Sequence, residues 1–311
     1  MNRKLSGFFC CLLAAFLWGT TFIAQDVGAR TIPPFTYLAL RSLVGVMAMT
    51  PILAIKDQLQ RKAGIFQPMS RPVRKRALLC GLGCGALLCA ASALQQLGIT
   101  GSPGEPGKAA FITALYIVFV PILGLFFKKK ADPHVYVCVL VALGGLWLLC
   151  MQGSALTASD IQLILCSLLY AMQMVLVEVF GHDVDGVRLS MAQFLVVAVG
   201  ASLLAVIFET PTLAGVLDGW WTILYAGVLS TGVAYTLQIV GQQRLPGAPA
   251  CLILSLESVI GVLAGMVALH VYPNGREWAG MLLIFAAIMV AQLPLSQLLN
   301  KKKQANGIEK S

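Results

Sequence analysis

Two ionisable side chains lie inside long apolar stretches of the chain, where a charge is costly and commonly has a function. Glu257 lies about nine residues, or about 14 Å, beyond the start of the apolar stretch that begins near Ala248. An apolar environment favours the neutral form of a carboxyl group, so Glu257 could exchange a proton near physiological pH. The alternative is that Glu257 is a static partner that bridges two helices.

Arg41 is the second such residue and lies about six residues, or about 9 Å, inside another apolar stretch. Its guanidinium could attract an anionic group. Two static alternatives remain. The long side chain could reach the membrane surface, or it could pair with a carboxylate such as Asp26 or Glu257.

Several amide side chains lie in apolar stretches where lipid offers them no hydrogen bonds, so they should point towards partners. They include Gln95, Gln96, Gln173, Gln193, Gln238 and Gln242. Gln95 and Gln96 on one stretch and Gln238 on another lie near related ends of those stretches. We expect one or two of them to line an internal pathway. Hydrogen bonds between helices are the alternative.

Four aromatic residues join an apolar face to a polar tip and could form the walls of the same pathway. Near the ends of spans, such residues could instead be anchors at the membrane surface. The candidate pathway residues are therefore Trp18, Arg41, Gln95, Gln96, Tyr116, Tyr170, Tyr235, Gln238 and Glu257.

The composition of the chain is typical of an integral membrane protein. Of its 311 residues, 58% are hydrophobic and 11% are charged, whereas about a quarter of the residues of a soluble domain are charged. Ten stretches are long enough to cross a bilayer: about 7–24, 35–55, 77–98, 109–127, 134–151, 161–180, 189–208, 220–241, 248–270 and 278–299. Because lipid cannot hydrogen-bond to the backbone, these stretches are predicted to be helices of an all-α fold.

The distribution of basic residues predicts the orientation of the chain, because Lys and Arg accumulate on the cytoplasmic side. A cytoplasmic N-terminus places 18 of the 22 basic residues inside and only Arg30, Lys108 and Arg276 outside, with Arg41 in a span. Both termini are then cytoplasmic, and the protein is expected in the cell inner or plasma membrane, in contact with its lipids. The net charge is +9, and the basic residues that produce it lie between apolar spans, so we expect no nucleic acid partner.

An internal repeat indicates how the spans are arranged. Residues 109–119 align with residues 250–260 at an offset of 141, and a weaker match places residues 16–19 over 168–171. A unit of five spans is odd, so its second copy is inverted in the membrane. We expect one five-helix repeat at 1–151, a second at 152–300, and a basic cytoplasmic tail at 301–311. Inverted repeats commonly hold a binding site near the midplane between them.

With these features, the chain resembles the drug/metabolite transporter superfamily, and specifically its ten-span EamA family. The resemblance covers about residues 7–298 and is carried by residues 14–22, Arg41, 110–121, 234–242 and 252–259. It implies a secondary transporter that moves a small organic metabolite or drug by alternating access, as an exporter, with protons as a possible coupling ion. One departure is Leu269-His270, where the family commonly has Gly-Glu.

Other functional classes find less support in the sequence. There is no Walker-type phosphate loop, and the nine cysteines form no motif with metal-ligand spacing. We therefore expect no cofactor, no metal and no enzymatic activity. The alternatives are a membrane-embedded enzyme that acts on lipid-linked substrates and a non-transporting membrane scaffold. A carrier would saturate and show counter-transport, an enzyme would change its substrate chemically, and a scaffold would do neither.

Overall fold

The structure is a computed structural model that describes residues 3–64, 70–103, 106–128, 131–150, 157–182, 184–269, 272–291 and 293. The tail at 301–311 and His270 lie outside the described residues. Within the described ranges the chain is all-helical, with no strand. The first helices are α1 (Arg3–Gly28), α2 (Pro34–Lys62), α3 (Arg71–Gly101), α4 (Pro106–Thr113), α5 (Tyr116–Phe126), α6 (Pro133–Cys150) and α7 (Ala158–Phe180).

The second part of the chain also contains both long and interrupted helices. It comprises α8 (Gly186–Phe208), α9 (Leu213–Asp218), α10 (Trp220–Tyr225), a π-helical segment (Ala226–Ala234), α11 (Tyr235–Gln242), α12 (Gly247–Leu254), α13 (Leu256–Leu269) and α14 (Gly275–Ala291). Helix boundaries are set by local chemistry. Pro follows the N-cap of α2, and Thr157 and Asp160 form a reciprocal capping box at the start of α7.

Eight helical stretches of the described chain are long and apolar enough to cross a membrane, which agrees with the prediction of an all-α membrane protein. They are Arg3–Gly28, Pro34–Lys62, Arg71–Gly101, Lys108–Phe126, Ala158–Phe180, Gly186–Phe208, Trp220–Gln242 and Gly247–Ala268. The fifth and tenth expected spans coincide with the shorter helices α6 and α14, which pack against each other.

Two helices are interrupted at equivalent places. The α4–α5 interruption lies at Ala114, and the α12–α13 interruption lies at Ser255, which is 141 positions later. The N–H group of Ile117 donates a 3.1 Å hydrogen bond to the carbonyl oxygen of Ala114. In the same way, the N–H group of Ser258 donates a 3.1 Å hydrogen bond to the carbonyl oxygen of Ser255. Pro121 does not account for both interruptions, since α5 continues through it and Val262 occupies the equivalent position in α13.

The π-helical segment brings a third irregularity close to α2. A methyl group added at Gly45 would lie 2.3 Å from Cγ2 of Thr231, and one added at Gly227 would lie 2.8 Å from the carbonyl oxygen of Arg41. Such close approach is possible only for residues without a side chain. The backbone that carries Arg41 is therefore pressed against the π-helical segment, a type of helix that often occurs at functional sites.

The long helices enclose one central region. α1 packs against α13 and against the π-helical segment and α11, while α7 packs against α3, α4 and α5. α2 packs against α8 along its length. The largest hydrophobic cluster of buried residues extends through this region from Cys11 on α1 to Ala291 on α14.

Candidate functional site

A narrow cavity lies at the centre of the helices and is lined by residues from both parts of the chain. It contains about 400 Å³ of space between protein atoms, and only a small part of this space can hold the centre of a water molecule. Its lining residues are Trp18, Phe22, Gln25, Arg41, Gln95, Thr113, Tyr116, Tyr170, Met174, Ser230, Tyr235, Gln238 and Glu257. An organic solute would therefore fit only after the walls move apart.

Eight of the nine residues predicted for the pathway line this cavity, and Gln96 does not. Gln96 is fully buried on another face of α3, because adjacent residues of a helix point about 100° apart. Five lining residues were missed by the sequence prediction: Phe22, Gln25, Thr113, Met174 and Ser230. Gln25 lies one residue beyond the apolar stretch at 7–24, so it was not among the amides considered within the predicted spans.

Glu257 begins the first turn of α13, directly after the helix interruption. It is 3% exposed, and its Oε1 accepts a hydrogen bond of 3.0 Å from the hydroxyl group of Tyr116. Gly19 on α1 makes room for this turn, because a methyl group there would lie 2.7 Å from the Glu257 carbonyl oxygen. Three helices thus fix the position of the carboxyl group in the cavity wall.

Arg41 has neither of the static arrangements considered from the sequence. It is 2% exposed, so its side chain does not reach the surface. Within the described part of the chain no carboxylate pairs with it, since Asp26 binds Arg30 at 2.8 Å and Glu257 binds Tyr116. Its Nε atom is buried and has no hydrogen-bond partner among these residues.

Hydrogen bonds connect the polar wall formed by α3 and α7. The hydroxyl group of Tyr170 donates to Oε1 of Gln95 at 3.2 Å and lies 3.1 Å from the hydroxyl group of Ser92. Nε2 of Gln95 is 3.5 Å from Oγ1 of Thr113, at the end of α4. Gln95 and Tyr170 therefore line the cavity and also connect helices, so both interpretations of the amide hold at this position.

A second polar wall is formed by α7, α8 and α11. Nε2 of Gln238 donates to Oε1 of Gln173 at 3.4 Å and to Oε1 of Gln242 at 3.2 Å. Gln173 in turn donates to Oε1 of Gln193 at 2.7 Å. The Oε1 atom of Gln238 is buried and has no hydrogen-bond partner in the described residues.

Aromatic rings form the apolar wall. The ring centroids of Trp18 and Tyr235 are 4.8 Å apart at an interplanar angle of 63°, and those of Phe194 and Tyr235 are 4.8 Å apart at 69°. Trp18 and Tyr235 are both less than one tenth exposed. They are therefore wall residues of the cavity rather than anchors at the membrane surface.

Two carboxylate contacts hold the opposite ends of the antiparallel helices α2 and α8. At one end, the Glu209 clasp, the Glu209 carboxylate accepts from the backbone N–H groups of Phe35 and Thr36 at 2.7 and 2.8 Å and from the Thr36 hydroxyl group at 2.7 Å. At the other end, the Asp57 clasp, both carboxylate oxygens of Asp57 accept from Nη2 of Arg188, at 2.6 and 2.7 Å.

Beside the Asp57 clasp, Asp185 forms the N-cap of α8 and pairs with Lys56. Burial raises the pKa of Asp185, but the bonds from Lys56 and from the Arg188 N–H group outweigh it, so the pKa lies below its ordinary value. In the described ranges no group of three or more His, Cys, Asp or Glu side chains could hold a metal ion.

Comparison with known proteins assigns the fold to a family. The model of the EamA-like transporter family matches residues 5–151 and again residues 157–292. The chain is 24% identical to an uncharacterized transporter, YoaV, of Bacillus subtilis, over 90% of this chain and 94% of that protein. It is also 24% identical to an uncharacterized transporter of Archaeoglobus fulgidus, over 90% of this chain and 84% of that protein.

A solved crystal structure of a protein has the same fold. Its TM-score is 0.75 at 20% sequence identity, with 95% of this chain and 99% of that chain covered. The family model covers most of the sequence in two stretches. The chain therefore belongs to the EamA-like transporter family and is a multi-span membrane protein of the transporter type.

Proposed function

We propose that the protein is a secondary transporter that carries a small organic solute across the cell membrane by alternating access through the central cavity. The observation that carries this proposal is the cavity itself, which is buried, is lined by residues from both matched stretches, and contains both Arg41 and Glu257. Its narrowness fits a conformation in which the site is closed to both sides.

An inverted repeat of two five-helix units is the arrangement we propose for the fold. Support comes from the two stretches that match the family model and from the helix interruptions at Ala114 and Ser255, which share the same spacing and the same hydrogen bond. In this arrangement α6 and α14 are the fifth and tenth spans. The units are residues 1–151 and 152–300.

Helix packing supports the same symmetry. The contact of α1 with α13 corresponds to that of α7 with α4 and α5, and the contact of α3 with α7 corresponds to that of α1 with the π-helical segment and α11. The pairs α2–α8 and α6–α14 each join one half to the other. Rocking of one half against the other would then expose the cavity to each side in turn.

The two clasps of α2 and α8 fit this motion. Thr36 and Arg188 are 152 positions apart, and so are Asp57 and Glu209. The Glu209 clasp and the Asp57 clasp are therefore equivalent contacts of the proposed halves at opposite ends of one helix pair. We propose that they hold the cavity closed on the two faces of the membrane.

We further propose that Glu257 is the coupling group, and that a proton moves with or against the solute. A buried carboxyl group with a single described hydrogen-bond donor, Tyr116, can exist in a neutral and a charged form. The orientation we propose has both termini in the cytoplasm, as the basic residues indicate. Export is the direction that the family resemblance favours.

Metabolite profiling tests this function although the solute is unidentified. Cells would express wild-type protein, the Glu257→Gln variant, or neither, at matched amounts of protein in the membrane. We expect at least one organic compound to move between cell extract and medium only in the wild-type culture. Identical profiles in all three cultures, in a host that supplies a broad range of added metabolites, would contradict the proposal.

A further inference from the structure

We infer that the transported solute carries a carboxylate, that Arg41 binds this group, and that an apolar or aromatic body packs against the aromatic wall of the cavity. The inference rests on the proposed transport function and specifies the chemistry of the solute. It follows from the state of Arg41, from the residue at the equivalent position of the second half, and from the other groups in the cavity.

The first step is the isolation of a buried cation. Arg41 is 2% exposed and lines the cavity, none of the ion pairs among the described residues includes it, and its buried Nε atom has no hydrogen-bond partner among them. Guanidinium groups stay protonated in proteins. A buried charge without a partner is strongly unfavourable, so its retention points to an anion that binds from the cavity.

The second step is that the fold does not need this charge. At the offset of 152 that relates the two clasps, the equivalent of Arg41 is Gln193. Gln193 is 1% exposed and accepts a hydrogen bond of 2.7 Å from Gln173. A neutral amide is thus sufficient for packing at the equivalent helix position, and the positive charge occurs only where the side chain faces the cavity.

The third step concerns the class of anion. Of the cavity-lining residues that the structure describes, Arg41 is the one with a cationic side chain, and Glu257 supplies a carboxyl group. One guanidinium matches a single carboxylate, which it can bind through two parallel hydrogen bonds. A phosphate with two negative charges would meet only one cation and also the carboxyl group of Glu257, so we assign a carboxylate.

The fourth step concerns the rest of the solute. Trp18, Tyr116, Tyr170 and Tyr235 present rings to the cavity beside Arg41. An aromatic or aliphatic body would replace solvent against these rings and leave the carboxylate at Arg41.

Binding to the purified full-length protein in lipid nanodiscs tests the inference. The probes are 3-phenylpropanoate, the neutral analogue 3-phenylpropanamide, and L-phenylalanine, which adds an ammonium group to the carboxylate. For wild-type protein we expect the carboxylate to bind at least about tenfold more tightly than the amide, as loss of a charge-assisted bidentate contact implies. The relative affinities of 3-phenylpropanoate and L-phenylalanine then tell whether an organic acid or a zwitterion is preferred.

Two variants isolate the role of Arg41. Arg41→Gln introduces the residue type found at the equivalent position, Gln193, of the second half. We expect this variant to bind the carboxylates at least about tenfold more weakly, while its affinity for the amide is unchanged. Arg276→Gln removes an equal charge at an exposed position at the start of α14, outside the cavity, and its affinities should equal those of the wild type. The comparison of carboxylate with amide on wild-type protein needs no variant to fold.

The outcomes separate this inference from the proposed function. Three results would each overturn the inference. Wild-type protein could bind 3-phenylpropanoate and 3-phenylpropanamide equally, or it could bind neither carboxylate. The third such result is an unchanged affinity for the carboxylates in a folded Arg41→Gln variant. Charge-dependent binding at Arg41 without saturable flux into proteoliposomes would uphold the inference and contradict the transport function. Saturable flux that does not depend on Arg41 would support the transport function and contradict the inference.

Discussion

The hydroxyl group of Tyr116 donates a 3.0 Å hydrogen bond to Oε1 of Glu257, and 141 positions separate the two residues. The same separation relates the helix interruptions at Ala114 and Ser255. Equivalent positions of the two proposed halves therefore meet in the cavity, with a hydroxyl group on one side and a carboxyl group on the other. Any motion of one half against the other must change this contact.

Replacing Glu257 tests whether this carboxyl group couples transport. Glu257→Gln keeps the size of the side chain and an acceptor for Tyr116, but it cannot bind or release a proton. We expect transport driven by a pH gradient to be lost and the variant to remain folded and inserted. The measurement is solute flux into proteoliposomes with and without a pH gradient.

Glu277→Gln is the matched control for Glu257→Gln, because Glu277 lies in the first turn of α14, outside the cavity. Its flux should equal that of the wild type. Normal flux with a normal dependence on pH in Glu257→Gln would remove this residue from the mechanism.

The close contact of α1 with α13 makes a prediction about stability. At Gly19 an added methyl group would lie 2.7 Å from the Glu257 carbonyl oxygen and from Ile260. We expect Gly19→Ala to lower the free energy of unfolding by about 1–3 kcal/mol, as overpacking typically does. Thermal unfolding in detergent measures the effect.

Gly83→Ala is the control for this prediction. Gly83 lies in α3 and has no neighbouring atom within 4 Å of an added methyl group. Since alanine favours a helix by about 1 kcal/mol over glycine, this variant should be as stable as the wild type or more so. Equal losses of stability in both variants would show that the contact at Gly19 is not the cause.

The clasps predict that both ends of the α2–α8 pair must open during transport. In a background without the native cysteines, Thr36→Cys with Glu209→Cys, or Asp57→Cys with Arg188→Cys, can be joined by a bifunctional thiol reagent. We expect either cross-link to stop the flux that the same variant shows before the reagent is added, while probe binding in the cavity persists. Undiminished flux with both cross-links in place would identify α2 and α8 as a fixed pair.

Asp185 predicts a defined dependence of stability on pH. The pKa of its carboxyl group is lowered below the ordinary value of 3.8 because the bonds from Lys56 and Arg188 outweigh burial. A lowered pKa contributes stability that is complete above the ordinary value and is lost as the pH falls through the lowered one. The difference in Tm between wild type and Asp185→Asn should therefore be equal at pH 7 and pH 5, and it should shrink below about pH 4.

The orientation prediction is tested by tags at three positions. A tag in the connection between α2 and α3, or at the C-terminus, should be protected from a membrane-impermeant reagent added to intact cells. A tag in the connection between α3 and α4 should react. A reactive tag at the C-terminus, or a protected tag between α3 and α4, would contradict the arrangement of ten spans with both termini in the cytoplasm.

The sequence predicted an all-helical membrane protein, because membrane spans depend on length and apolar composition. Eight of the helical stretches that the structure describes are long and apolar enough to span a membrane. The sequence also selected Glu257 and Arg41, since charges in apolar stretches stand out. It did not choose between their alternatives, because the partners of a side chain depend on how helices turn towards each other. In the structure Asp26 pairs with Arg30.

The limits of sequence-based prediction are equally specific within the cavity. Gln95 and Gln96 were predicted together, yet one helix face can present only one of them. Ser230 reaches the cavity from a π-helical segment that no pattern of apolar residues distinguishes from an α-helix. The meeting of Tyr116 with Glu257 required the crossing of two helices, although the repeat had already aligned the two positions.

Counterflow tests the central claim most directly. Proteoliposomes would be loaded with an unlabelled solute that wild-type cells redistribute, and a trace of the labelled solute would be added outside. A carrier with one alternately exposed site must accumulate the label inside transiently, above its external concentration. Glu257→Gln or either cross-linked clasp should change or stop this transient accumulation. Equilibration of the label without any transient accumulation in wild-type vesicles would contradict alternating access.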